Sequence, residues 1–133
     1  MIVFARQPDE PLGRLLIQLD QWLRQDKSAT RRIWVTFLSH RQPQLDAQLV
    51  DWGKRLGLAR LPVSIFEDDH GPPAYRIPDE AAVVVVFANK RRIVASRLFS
   101  RKEWEQVKLD SLLDEIRRFL EADGEAGLRP GQK

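Results

Sequence analysis

The amino-acid sequence predicts an α/β fold in which one mixed β-sheet has helices on both faces. Short apolar runs alternate with segments of helical periodicity in the first half of the chain, which is typical of parallel strands joined by helical crossovers. Two apolar runs separated by a short polar turn follow, as in an antiparallel hairpin, and an amphipathic helix closes the pattern. The length of 133 residues fits one domain.

The first three strands are predicted at residues 1–5, 33–38 and 61–66, where the apolar runs are too short for helices. The run at 33–38 is apolar on both faces, as expected for an interior strand. Between these strands, Asp9 is a natural cap for a helix whose leucines recur at helical spacing. A second helix is predicted over 43–57, with glycine at its end as a stop signal.

The second half predicts a hairpin, with strands at 81–88 and 91–96, and a last helix that begins near Asp110. An acidic loop containing glycine and prolines precedes the hairpin. Residues 123–133 contain almost no apolar side chains, so we expect a flexible tail there. Residues 1–122 then form a single domain.

The absence of cysteine excludes disulfide exchange, thiol-based peroxide reduction, zinc–thiolate centres and iron–sulfur centres. The two histidines, His40 and His70, are too few for a multi-histidine metal site, so no metal or cofactor is predicted. An alternative is a hydrolase or metal enzyme centred on these histidines, with Ser39 as a nearby nucleophile. Because adjacent residues of a strand point to opposite faces, a direct pair between Ser39 and His40 is disfavoured.

Several motifs resemble the thioredoxin-like fold, in particular its peroxiredoxin and thiol-specific-antioxidant branch. They are Trp52-Gly53-Lys54-Arg55-Leu56-Gly57-Leu58, Ala74-Tyr75-Arg76-Ile77 and the closing hairpin. The opening Val3-Phe4-Ala5-Arg6 is also similar to the first strand of a bacterial group of cysteine-free thioredoxin-like proteins of unknown activity. The resemblance covers about residues 2 to 120. It implies a thioredoxin-like three-layer sandwich with a C-terminal hairpin and helix.

The redox site implied by this resemblance lacks its characteristic residues in this chain. Family cysteines lie where the first strand meets the first helix, because a helix N-terminus lowers a thiol pKa. Here that position reads Gln7-Pro8-Asp9-Glu10-Pro11. The position of the family's cis-proline, before the fourth strand, corresponds to Ala82. The resemblance therefore implies a redox-inactive domain that is not an enzyme.

The leading functional hypothesis is a non-catalytic module that binds a protein or peptide in a cleft at the former redox site. Carboxyl ends of parallel strands meet at one edge of a sheet, which is where ligands bind in open α/β folds. The predicted cleft contains residues from three such ends and the following loop: Arg6, Gln7, Asp9, Ser39, His40, Arg41, His70, Pro73, Tyr75 and Glu80.

The alternative hypothesis is binding of nucleic acid or another anionic partner through the hairpin region, residues 90–102. The net charge is +3, and this region has basic residues but no acidic one until Glu103. Its basic residues are Lys90, Arg91, Arg92, Arg97, Arg101 and Lys102. RNA-binding sheets expose aromatic side chains on their strands, whereas these strands read as core aliphatics, which argues against this alternative.

No apolar run approaches the roughly 20 residues of a transmembrane helix, so we expect a soluble domain without membrane insertion. The N-terminus lacks a basic stretch ahead of its apolar residues. We therefore expect a cytoplasmic protein for the chain as given, and a periplasmic or exported one if it is a trimmed fragment. A homodimer that covers an exposed edge strand is a further expectation.

Overall fold

The computed structural model describes residues 1–25, 33–89 and 92–128. Within them the chain is α/β, as predicted. In chain order the elements are β1 (Ile2–Ala5), α1 (Glu10–Gln25), β2 (Trp34–Leu38), α2 (Gln42–Leu56), β3 (Val63–Phe66), a 3₁₀ turn (Pro73–Tyr75), β4 (Ala81–Asn89), β5 (Arg92–Ser100), α3 (Arg101–Glu105) and α4 (Leu109–Leu128).

The five strands form one mixed sheet in the order β3-β2-β1-β4-β5. β1 pairs in parallel with β2, and β2 with β3, whereas β4 is antiparallel to β1 and β5 is antiparallel to β4. The mixed sheet and the antiparallel hairpin are therefore confirmed. β3 and β5 lie at the two edges, and β5 is the longer, with 9 residues against 4.

The described helices pack on one face of this sheet. Val3 and Ala5 belong to a core that includes the buried residues of α1, α2 and α4 and Trp104 of α3. Phe4 points to the opposite face and belongs to a second cluster. That cluster combines other strand residues with Ile77 and Tyr75, which lie in the connection between β3 and β4. The prediction of helices on both faces is wrong for the described residues. Because β1, β2 and β3 step in one direction, right-handed crossovers place α1 and α2 on the same side.

Local signals in the sequence set the ends of the first two helices. The amide of Leu12 donates to Asp9 Oδ1 at 3.0 Å, which confirms Asp9 as the cap of α1. α2 is followed by Gly57, whose φ of +72° is the left-handed conformation that glycine adopts without strain. The amide of Gly57 bonds to the carbonyl oxygen of Lys54 at 3.1 Å, so the predicted stop is also confirmed.

The C-terminal part differs from the prediction in three places. β5 continues to Ser100, and the short helix α3 follows it directly. The cause is a capping box, in which Ser100 Oγ accepts the amide of Glu103 and the Glu103 carboxylate accepts the amide of Ser100. α4 continues to Leu128, beyond the start of the predicted tail at residue 123. Residues 129–133 lie outside the described part, as do Lys90 and Arg91.

Candidate functional site

The predicted cleft lies at the edge of the sheet where β1, β2 and β3 end. Arg6 follows β1, Ser39 and His40 follow β2, and residues 67–80 connect β3 to β4. We call this connection and the side chains that fasten it the carboxyl-end loop. The structure therefore brings together Arg6, His40 and His70, as expected from parallel strands.

Arg6 fastens the carboxyl-end loop to β1 through three backbone carbonyl groups. Its Nε donates to the oxygen of Ala81 at 2.8 Å, one terminal nitrogen donates to that of Asp69 at 2.6 Å, and the other donates to that of Pro78 at 3.2 Å. Every guanidinium nitrogen thus has a partner inside the chain. The planar fork that suits an anionic ligand is used here to hold a loop.

Each histidine of the chain is paired with an aspartate of the carboxyl-end loop. His40 Nδ1 lies 2.5 Å from Asp69 Oδ2, and its amide donates to Asp69 Oδ1 at 3.1 Å. His70 Nδ1 lies 2.8 Å from Asp79 Oδ1. The hydrogen bond from the His40 side chain is the main cause that lowers the pKa of Asp69; the His40 amide and the nearby charges of His40 and Arg6 act the same way and outweigh burial.

An imidazole oriented by a carboxylate at Nδ1 is one part of a nucleophile-activating triad. The nearby hydroxyl, Ser39 Oγ, instead accepts the amide of Arg41 at 3.0 Å. Within residues 1–25, 33–89 and 92–128, neither histidine is hydrogen-bonded to a hydroxyl, and no group of three or more His, Asp or Glu residues is placed to hold a metal ion. The His40–Asp69 pair joins the loop to the segment that follows β2, and we call this pair the latch. The His70–Asp79 pair lies within the loop.

Asp9 is turned away from the carboxyl-end loop and joins α1 to α3. Besides capping α1, its carboxylate accepts from Arg101 Nη1 at 2.6 Å and from Trp104 Nε1 at 3.1 Å. Trp104 is fully buried. The position at which the resemblance places redox chemistry therefore holds a carboxylate with a structural role, and Ala82 lies within β4.

The other predicted cleft residues have few internal contacts. The ring of Tyr75 packs on Phe4 with a centroid separation of 5.0 Å, and so covers part of the second face of the sheet. The side chains of four others are exposed: Gln7, Arg41, Pro73 and Glu80. The cleft is thus a loop fastened by its own polar groups, with a rim of exposed side chains.

A second candidate surface lies along β5, which we call the β5 edge (Arg92–Ser100). Three large apolar side chains are exposed there: Ile93 by 50%, Val94 by 62% and Leu98 by 44%. The expectation of core aliphatics is wrong for this strand. Its pattern resembles that of β4, but β5 is at the edge of the sheet and β4 is inside it.

The predicted basic patch is divided between β5 and α3. Arg92 and Arg97 are exposed on β5, and Arg97 Nε lies 3.3 Å from Glu115 Oε2 of α4. Lys102 is exposed on α3, whereas Arg101 is directed to Asp9. Two arginines of the patch therefore lie on the β5 edge itself.

Next to the β5 edge, a surface groove of about 350 Å³ lies between β5, α3 and α4. Phe99, Val107 and Leu112 supply its apolar lining, and Arg97 and Lys108 are among its charged residues. We call it the β5 groove. Sequence reasoning missed it because α3 was not predicted, although the serine and glutamate of its capping box are a recognisable signal.

Comparison of the chain with protein-family models, with curated proteins and with solved structures finds no match. The likeness to thioredoxin-like proteins therefore stays a prediction. Among the described residues, no helix is both long and apolar enough to cross a membrane.

Proposed function

We propose that this chain is a redox-inactive, non-catalytic domain of the thioredoxin-like kind that binds another protein by adding an extended segment of it to the β5 edge. The observation that carries the proposal is the edge itself. β5 is 9 residues long, pairs with β4 and with no other described strand, and exposes Ile93, Val94 and Leu98. Such an edge presents a row of backbone donors and acceptors that a partner strand can satisfy.

The two edges of the sheet differ in a way that supports this proposal. Natural proteins protect sheet edges by making them short, by placing proline or charged side chains on them, or by interrupting them with bulges. β3 follows that rule with 4 residues. β5 has two of these devices, its arginines and a bulge at Val94, but it contains no proline and is more than twice as long as β3. Three exposed large apolar side chains on one edge strand favour an interaction surface there.

The carboxyl-end loop is the weaker candidate surface. Arg6, Asp69 and His40 already make hydrogen bonds within the chain, so a ligand would have to replace those bonds to use these groups. The backbone groups on the outer side of β5 require no such exchange, because they have no partner strand among the described residues.

Two features bear on the thioredoxin-like part of the proposal. A parallel β-α-β opening followed by an antiparallel hairpin and a helix supports it. The packing of all described helices on one face departs from a three-layer sandwich.

Selection from a random peptide-display library tests the binding function. The wild-type protein is compared with a V94K/L98K variant, since lysines on an edge strand oppose strand addition. Val50→Lys is the matched control, because Val50 is 51% exposed on α2. We expect peptides that bind the wild type and V50K but not V94K/L98K.

Peptides that bind all three proteins alike, or a selection that yields none, would contradict the proposal. The same preparations are assayed for reduction of insulin disulfides and of peroxide, and turnover by the purified protein would contradict a non-catalytic role.

A further inference from the structure

We infer that the segment added to the β5 edge is an acidic peptide, with carboxylates beside Arg92 and Arg97 and one apolar side chain seated in the β5 groove. This inference rests on the proposed function and names the chemistry of its partner. It depends on three features of the described residues: the register of β5, the groove beside it and the charge of its side chains.

The register of β5 shows which side chains an added strand would meet on each face. Arg97 is opposite Val85 and Phe99 is opposite Val83, both of which face the helices, whereas Leu98 is opposite Val84 on the other face. Because side chains of a strand alternate between faces, every second residue of an added strand would lie beside Arg97 and Phe99. The others would lie beside Leu98.

The β5 groove continues from the helix-facing side of this edge. Phe99, Val107 and Leu112 line it, and its volume of about 350 Å³ is near the lower end of ligand pockets. That volume can hold a large apolar side chain of a peptide with space to spare. An anchor of this kind would fix the register of the added strand, which backbone hydrogen bonds alone do not specify.

The charges along the edge favour carboxylates. β5 contains Arg92 and Arg97 and no acidic residue. The groove contains Lys108 but also two carboxylates: Glu103, which accepts the amide of Ser100, and Glu115, which contacts Arg97. We therefore expect the carboxylates of the partner beside the arginines of β5 and not in the groove. Arg92 has no ion-pair partner among the described residues. Arg97 contacts Glu115, but the two side chains are 56% and 40% exposed, and such surface pairs contribute little. A partner carboxylate can therefore bind the fork of Arg97 without breaking a strong internal bond.

Two other occupants fit these features less well. Single-stranded nucleic acid is bound through stacking surfaces as well as cations, but Trp104 is fully buried and its ring packs on Phe99 at 5.3 Å. A second copy of the chain paired through β5 would offer no carboxylate to Arg92 and Arg97, because β5 contains no acidic residue. An acidic peptide satisfies both the aliphatic side chains and the arginines.

The test uses labelled peptides as long as β5 that alternate glutamate and valine, with one central leucine. Binding is measured by fluorescence anisotropy. The matched peptides carry glutamine or lysine in place of every glutamate, and a mixed oligonucleotide is the nucleic-acid probe. The protein variants are R97Q, V94K/L98K and, as the control for loss of one exposed arginine, R55Q, whose ion pair with Asp51 lies within α2.

We expect the acidic peptide to bind about tenfold or more tightly than the glutamine peptide, since hydrogen bonds to charged groups are the stronger ones. R97Q should lose most of that preference, V94K/L98K should lose binding, and R55Q should match the wild type. Added salt should reduce the preference.

The possible failures separate the inference from the proposed function. Equal binding of the glutamine or lysine peptide, still abolished in V94K/L98K, would overturn the acidic partner and leave strand addition at β5 intact. Binding of the acidic peptide that V94K/L98K does not weaken would overturn both, as would absence of peptide binding. Binding of the oligonucleotide alone, dependent on Arg97 and lost steeply with salt, would also overturn both and establish nucleic acid as the partner.

Discussion

The carboxyl-end loop and the β5 edge both contain charged and apolar residues, but they differ in how far these residues are engaged in contacts within the chain. In the loop, Arg6, His40 and Asp69 are bound to groups of the same chain. On β5, Ile93 and Leu98 are exposed and the outer side of the strand has no partner among the described residues. Polar residues concentrated at strand ends therefore indicate a binding site only if their hydrogen bonds are not already made within the chain.

This difference predicts that variants of the two regions have opposite effects. Loop variants should lower the stability of the fold without changing peptide binding at β5. Edge variants should change binding without lowering stability.

The largest expected effect on stability is that of Arg6→Ala. It removes three hydrogen bonds that a charged donor makes to backbone carbonyl groups, which predicts a loss of about 3 kcal/mol in the free energy of unfolding. Urea denaturation measures this loss. A loss below about 0.5 kcal/mol, the usual range of surface substitutions, would show that Arg6 is not a fastening residue.

Asp9→Ala should destabilise by about 2 kcal/mol, because it removes a helix cap and the acceptor of Arg101 and Trp104. Asp9→Asn is the matched control, since its side-chain oxygen can still accept the amide of Leu12 or the Trp104 indole. We expect the urea concentration at the denaturation midpoint to be highest for the wild type, lower for D9N and lowest for D9A. Equal midpoints for the two variants would contradict a role for the shared oxygen.

The latch between His40 and Asp69 should appear as a pH dependence. The pKa of Asp69 is lower in the folded protein than its ordinary value of 3.8, so the ionised group stabilises the fold above that value. This contribution is lost as the pH falls through the folded pKa. Asp69→Asn should flatten the acid limb of a stability–pH profile, whereas Asp46→Asn, an exposed change on α2, should leave it unchanged.

Asp20 is a second source of acid sensitivity in that experiment. Burial raises its pKa, but the amides of Arg60, Leu61 and Ala59 and the charge of Arg24 outweigh burial and lower it overall. The acid limb should therefore remain partly in D69N. A D69N profile identical to that of the wild type would contradict the latch.

The smallest expected effect on stability is that of V94K/L98K. Both side chains are largely exposed, so the free energy of unfolding should change by no more than about 1 kcal/mol, twice the usual limit for one surface site. A larger loss would show that the β5 edge contributes to the core, and the comparison of the two regions would then fail.

Local patterns in the sequence predicted the parts of the fold that depend on neighbouring residues. The cap at Asp9, the stop at Gly57 and the hairpin of β4 and β5 follow from residue type and spacing alone. The position of the helices on one face depends on the strand order, which joins segments distant in the chain. A local pattern contains no information about that order until the right-handed crossover rule is applied to it.

The candidate site was less predictable for the same reason. Arg6 and Ala81 are 75 residues apart, and nothing near either residue in the sequence indicates their hydrogen bond. The aliphatic pattern of β5 is the same for an edge strand as for an interior one, so exposure of Val94 and Leu98 appears only once the strand order is known.

Strand addition at β5 is best tested by following the amide chemical shifts of the isotope-labelled protein by NMR during titration with the acidic peptide. We expect shifts and protection from hydrogen exchange to develop along β5, between Arg92 and Ser100, and at the groove residues Val107 and Leu112. Changes confined to His40 and the carboxyl-end loop would contradict it.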